Sequence, residues 1–184
     1  KFENIEESLN ALIQTNDFNT NALSYSVISS YPKDRHHGWR YIVVGPDKKL
    51  YVPIGAPCNV CDEPGYAVIT KINLDGSEKE TIATGIRNTV GMTFHPQTNE
   101  LWFTDNGRDM LGDDIPPGEL NKVSFKGEHF GFPFCHGSDV ADPQYGSLGS
   151  CSDITAPVQE LDAHVAPLGL KFYTGTMFPK DYHN

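Results

Sequence analysis

Four stretches of this sequence carry side chains that could do chemistry. Arg35-His36-His37-Gly38 sets two imidazoles side by side, and an imidazole, half neutral near pH 7, can take a proton from a hydroxyl. Gly85-Ile86-Arg87-Asn88-Thr89-Val90-Gly91 offers a guanidinium, which stays charged and turns a planar fork of donors toward a negative oxygen. Twelve residues after Gly91 a second dense block begins, Phe103-Thr104-Asp105-Asn106-Gly107-Arg108-Asp109. His164 stands further on, in Ala163-His164-Val165-Ala166-Pro167. Each also has a plain structural explanation: histidines of a charged surface turn, an arginine in an ion pair, an asparagine chosen for its backbone in a turn.

Other polar groups are less specific. Asp109, Asp113, Asp114 and Glu119 crowd one stretch and suit either a structural calcium or a solvated acidic turn; their spacing lacks the EF-hand pattern, which favours the turn. Cys58, Cys61, Cys135 and Cys151 are an even set. Disulfides in an oxidising compartment fit them better than a four-cysteine zinc site, which usually has two short C-x₂-C knuckles. Trp39, Trp102, Phe130, Phe132 and Phe134 are expected in the core.

These residues need a frame, and the pattern around them is one of hairpins. Residues 41–52 read as strand, Pro46-Asp47 turn, strand; residues 92–103 repeat that plan around Pro96, fifty residues later. Between them, residues 66–72 and 80–84 flank a turn containing Asp75-Gly76. Short strands in periods of about 40–50 residues predict β-propeller blades, all-β, with a third period starting at Gly169. Only Ile5 to Leu12 reads as helical. The organisation expected is an N-terminal segment over 1–33, blades over 34–105, a long loop region over 106–163 with one strand near Glu119 to Ser124, and the start of a further blade over 164–184. About three blades are too few to close a propeller, so the chain is expected to be a piece of a larger protein, completed by remaining blades or a partner chain.

Composition narrows the partners. The 184 residues, 38% apolar and 21% charged, suit a globular domain, and a formal charge of −10 with 14 scattered Lys and Arg disfavours nucleic acid. No run approaches the roughly 20 apolar residues of a membrane span.

In order and spacing, His36-His37-Gly38-Trp39-Arg40, Gly45-Pro46-Asp47, Pro53-Ile54-Gly55-Ala56-Pro57-Cys58-Asn59-Val60-Cys61, Gly85 to Asn88, Phe130 to Gly137 and Ala163 to Gly169 resemble the soluble glucose/sorbosone dehydrogenase family, its sorbosone-like branch in particular. The resemblance implies a six-bladed propeller and an extracellular or periplasmic quinoprotein. Such an oxidoreductase takes hydride from a sugar or aldehyde onto pyrroloquinoline quinone beside calcium, then passes electrons to an acceptor protein or quinone. His36 or His37 would be the base; the interval to Arg40 favours His36. Arg87 and Asn88 would hold the quinone oxygens, Gly107 and Arg108 would give calcium their main-chain carbonyls, and His164 would line the site. The same pattern pairs Cys58 with Cys61 and Cys135 with Cys151. Ala56 stands where the glucose enzymes place an Asp that activates the base, and the family's ligands for the quinone carboxylates would lie beyond Asn184. Two other functions compete: a binding or scaffold propeller without redox chemistry, favoured by Ala56, and a calcium lactonase, disfavoured because no well-placed Glu accompanies Asn88 and Asn106.

Overall fold

Both proline-led turns are made as hairpins. Gly45 and Lys49 pair across the first, with Lys48 in the left-handed region (φ 61°); His95 and Glu100 pair across the second, where Asn99 takes the same role (φ 61°). In this computed structural model residues 26–182 are described. The chain divides after Ser30, and every element below belongs to the unit that begins at Tyr31. The expected helix over Ile5 to Leu12 lies outside the described residues.

The first sheet is an antiparallel meander of β1 (Val43–Val44), β2 (Leu50–Ile54), β3 (Val68–Ile72) and β4 (Glu80–Thr84). Its turn from β3 to β4 is tight: Gly76 N–H donates to Asn73 O, and Asp75 Oδ1 accepts from Ser77 N at 2.9 Å. The second sheet repeats the plan with β5 (Gly91–Phe94), β6 (Leu101–Asp105) and β7 (Pro117–Val123). Its fourth strand arrives late. The chain first makes β8 (Glu128–His129), β9 (Cys135–His136) and β10 (Val140–Ala141), and only then β11 (Gln159–Ala163), which pairs with β7.

The excursion between β7 and β11 ties the sheets together. β8 lies parallel to β4 at the edge of the first sheet, with Ala83 opposite Glu128. Just beyond it, Phe130 drops into the core. That core joins Tyr51, Ile69, Ile82 and Ala83 of the first sheet to Met92, Leu101 and Phe103 of the second. The rings of Phe103 and Phe130 meet edge-on at 5.0 Å, as do those of Tyr51 and Phe94. Burying each phenyl ring contributes about 2–3 kcal/mol.

Three expectations change. Residues 106–163 are mostly turn and loop but hold five strands where one was expected: β7 and β11 complete the second sheet, β8 joins the first, and β9 with β10 forms a further hairpin. The described unit holds a five-stranded sheet, a four-stranded sheet and the β9–β10 hairpin, and no strand follows Ala163 among the described residues, where a further blade was expected to start. Trp39, expected in the core, is 88% exposed, whereas Phe130 and Phe132 are buried as expected. Both expected disulfides are present, and no described cysteine is free. Among the described residues no helix is long and apolar enough to cross a membrane.

Candidate functional site

At one end of the two sheets, the segments that leave β2 and β6 run beside the one that enters β5. Ala56 N–H donates to Arg87 O at 2.8 Å, and Asn106 N–H donates to Asn88 O at 3.3 Å, so three loops are laced edge to edge. Asp105, the last residue of β6, fixes their bend. Its carboxylate accepts the backbone N–H groups of Arg87 (2.8 Å), Asn88 (2.6 Å) and Asn106 (3.0 Å). A buried carboxylate that collects several N–H groups fixes a loop more firmly than a single contact does.

These loops open onto a cavity of about 280 Å³, lined by His37, Arg87, Asn88, Gly107, Arg108 and His164 among others. Residues drawn from four separate stretches of sequence thus meet in one place. The odd one out is His36. It is exposed, its ring lies 4.1 Å from that of His37 and tilted against it, and His37 rather than His36 lines the cavity.

His37 is held as a neutral base should be. Its Nδ1 lies 2.8 Å from Ala56 O, and a carbonyl can only accept, so Nδ1 carries the proton and Nε2 keeps its lone pair. Burial, then the positive charges of Arg87 and His36, push its pKa down to about 4, against the opposing pull of Ala56 O and Asp109. Gly55 makes the close approach possible, for a Cβ there would stand 2.6 Å from His37 Cβ.

Arg87 is buried and fully engaged. Nε donates to Asn59 O (2.9 Å) and Nη2 to Asn59 Oδ1 (2.9 Å) and Asp109 Oδ2 (3.4 Å). Nη1 donates to Asn106 O (3.1 Å) and Gly107 O (2.8 Å). A guanidinium has five N–H donors, and here all five have partners within the protein. Arg108 is also buried, but its side chain turns away. Nη1 reaches Asp142 Oδ2 at 2.6 Å, and the same oxygen meets His136 Nε2 at 3.0 Å. Burial opposes the Asp142 charge, yet His136, Arg108 and the N–H groups of Gln144 and Tyr145 outweigh it and hold the carboxyl down at about 2. Burial lowers the His136 pKa, with Asp142 pulling the other way. The loop is thereby anchored to the β9–β10 hairpin, itself tied by Cys135–Cys151.

The far wall comes from residues 164–168. His164 Nε2 lies 2.8 Å from Gly112 O. Asn106 Nδ2 donates to Pro167 O (2.9 Å) and Thr104 Oγ1 to Leu168 O (2.8 Å). Leu168 O comes so near Gly91 that a Cβ there would sit 1.9 Å from it.

Groups left unspent decide what the cavity can hold. The Asn88 side-chain amide and the Arg108 carbonyl have no hydrogen-bond partner among the described residues, while the two guanidinium charges are answered by Asp105 and Asp109 beside Arg87 and by Asp142 at Arg108. An amide donor of this kind fits a carbonyl oxygen such as a quinone presents. Calcium fits the loop less evenly: Arg108 O is open to it, but Gly107 O would be shared with Arg87. The acidic stretch makes no side-chain metal site. Glu119 is buried in β7, and no group of three metal-capable side chains occurs among the described residues. Asn59, Asp105, Asp142 and His136 were not singled out from sequence. The signals were there for two of them: Asn59 sits inside the Cys58–Cys61 ring, and Asp105 directly precedes Asn106.

Comparison with known proteins agrees with this architecture. The model of the Glucose / Sorbosone dehydrogenase family matches residues 68–184. A Borreliella burgdorferi protein of uncharacterised function is 41% identical over 99% of this chain, which spans 49% of that protein, and an uncharacterised Synechocystis protein is 31% identical over 55% of the chain and 23% of its own length. Among solved structures, the holo pyranose dehydrogenase PQQ domain of Coprinopsis cinerea superposes with a TM-score of 0.64 at 17% identity, covering 76% of this chain and 46% of that one. The apo soluble aldose sugar dehydrogenase of Escherichia coli gives 0.60 at 20% identity, covering 79% and 46%. The calcium structure of the Trichoderma reesei family AA12 protein gives 0.60 at 23%, covering 74% and 46%. These likenesses show the fold.

Proposed function

The chain belongs to the glucose/sorbosone dehydrogenase family, and on that footing we propose that the whole protein is a quinoprotein that oxidises a sugar or aldehyde hydrate. The observation that carries this reading is His37: a neutral imidazole with its tautomer fixed by Ala56 O, facing a cavity that Arg87 and Asn88 also line. Pyrroloquinoline quinone, when bound, supplies the hydride acceptor. His37 Nε2 takes the hydroxyl proton as the substrate C–H bond gives up its hydride. Arg87, held rigidly by its partners, is the cation nearest the base, and a charge fixed in this way needs no reorganisation during the step. The Asn88 amide and the Arg108 carbonyl are the groups through which this part of the chain would hold the quinone and its calcium.

Ala56 matters through its backbone. Where an Asp would orient the base and add a negative charge, the Ala56 carbonyl orients it without one, which leaves His37 weaker as a base but neutral over a wider pH range. The two disulfides fit an extracellular or periplasmic setting, with an acceptor protein or quinone reoxidising the cofactor. One observation favours a second reading, a propeller that binds without redox chemistry: every N–H of Arg87 is already used inside the protein.

The test is titration of the full-length protein with pyrroloquinoline quinone, in calcium and then in chelator, following cofactor absorbance and its bleaching by aldoses. Calcium-dependent binding with bleaching is expected. His37→Gln should lower kcat by about 10²–10⁴-fold and leave quinone affinity nearly unchanged, while His36→Gln changes neither. Failure of the full-length protein to bind quinone would leave the binding propeller.

A further inference from the structure

We infer that Asn59 is the positioning residue that fixes the Arg87 guanidinium in the cavity, a role that deepens the dehydrogenase reading and rests on it for its catalytic meaning. Asn59 does not line the cavity. It stands behind Arg87 and meets it twice, through its own carbonyl at Nε and through Oδ1 at Nη2, both at 2.9 Å. The same Oδ1 accepts Asp109 N–H at 2.9 Å, and Nδ2 donates to Asp109 O at 3.1 Å. One amide thus joins the loop after β2 to the loop after β6 and grips the arginine between them.

The other partners of Arg87 could not do this. Asp109 is 69% exposed at the side chain and 3.4 Å away, a pair that water and salt weaken. Asn106 O and Gly107 O lie at the cavity, where an incoming ligand would compete for them. The Asn59 contacts lie on the far side of the guanidinium, so they persist when a ligand arrives. Their backbone is closed into a ring by Cys58–Cys61, which limits how far Asn59 can follow a movement of Arg87. The strip from Ala56 to Asn59 therefore serves both chemical groups, Ala56 O holding His37 and Asn59 holding Arg87.

The experiment uses the full-length protein and two readouts. The first is hydrogen exchange of the Arg87 Nη2 protons in ¹⁵N spectra, with no cofactor present, because Nη2 is the group that the Asn59 side chain holds. A lost hydrogen bond of ordinary strength is about a tenfold effect, so Asn59→Ala should speed this exchange by roughly tenfold or more. Asn59→Asp keeps the Oδ1 acceptor and should restore it to near the natural rate. The second readout is calorimetric affinity for pyrroloquinoline quinone in calcium, which Asn59→Ala should weaken about tenfold and Asn59→Asp should largely recover. Unchanged exchange in Asn59→Ala would overturn the inference. So would faster exchange in both variants with equal losses of thermal stability, which would mark Asn59 as a fold contact only. If the natural protein binds no quinone, the dehydrogenase reading fails, while the exchange readout still decides whether Asn59 positions Arg87.

Discussion

The two sheets follow one plan and end it with opposite chemistry. β2 and β6 both start at a Leu and run five residues, so Ile54 and Asp105 occupy the same place. In the first sheet the row across the strands at that place is Ile54, Val68 and Thr84. In the second it is Asp105, Glu119 and Glu160. Residues opposite each other across strands share a face and crowd each other, and like charges there repel. The second sheet accepts that cost because each carboxylate gathers loop N–H groups. Asp105 takes those of Arg87, Asn88 and Asn106, Glu119 that of Gly137, and Glu160 that of Ser138. The repeat thus separates two duties: an apolar row that only builds a sheet, and an acidic row that shapes the loops around a cavity.

Exchanging the rows is the strongest way to break this comparison. Asp105→Ile gives the second sheet the residue of the first and leaves three loop N–H groups without their acceptor. The expected cost is about 3–6 kcal/mol, read from urea denaturation. A loss below about 1 kcal/mol would mean that the loops stand without the carboxylate.

Next in size is the proton on the acidic row. Burial, then the charge of Asp105, pushes the Glu119 carboxyl up to about 8, and burial raises Asp105 to about 6 despite its N–H partners and Arg87. Both carboxyls are thus harder to ionise than in water, Glu119 the more so because Asp105 faces it, and the row carries less than its full negative charge. A carboxyl raised on folding contributes stability that is fully present below its unfolded pKa, near 4.5, and is lost as pH rises through about 8. Glu119→Gln should flatten stability over that window and make the variant the more stable protein above pH 8. Parallel pH profiles of the two unfolding midpoints would show Glu119 to be ionised already.

The smallest effect sharpens the likeness of the two hairpins. Lys48 and Asn99 both hold φ near 61°, a conformation that Asn tolerates better than Lys. Lys48→Gly should therefore stabilise by about 0.5 kcal/mol and Asn99→Gly by less, measurable as a difference between thermal midpoints.

What could be read from sequence followed locality. The hairpins at Pro46 and Pro96 and the Asp75-Gly76 turn are made by residues a few positions apart, and they were legible. So was the meeting of His37, Arg87, Asn88, Gly107, Arg108 and His164, through the resemblance rather than through any pattern in the chain. The two-residue strand β8 carries no periodicity, and its pairing with β4 spans more than forty positions. Adjacent histidines look alike in sequence, and only Ala56 O separates the one that faces inward. Asp105 and Glu119 read as surface acids until the sheet register places them opposite each other in the interior. Trp39 reads as core by type alone, yet nothing in the described unit covers it.

The detour between β7 and β11 also sets an order of assembly. The first sheet joins strands that are neighbours along the chain, whereas β11 can meet β7 only after residues 124–158 have been drawn in. Closing so long a loop costs chain entropy, and the cost falls once β8 has docked on β4 and Phe130 has entered the core. The first sheet is thus the template on which the second is finished. Residues 164–168, which follow β11 directly, reach Gly91 and Thr104 through Leu168 O, so the far wall of the cavity depends on the pairing of β11 with β7.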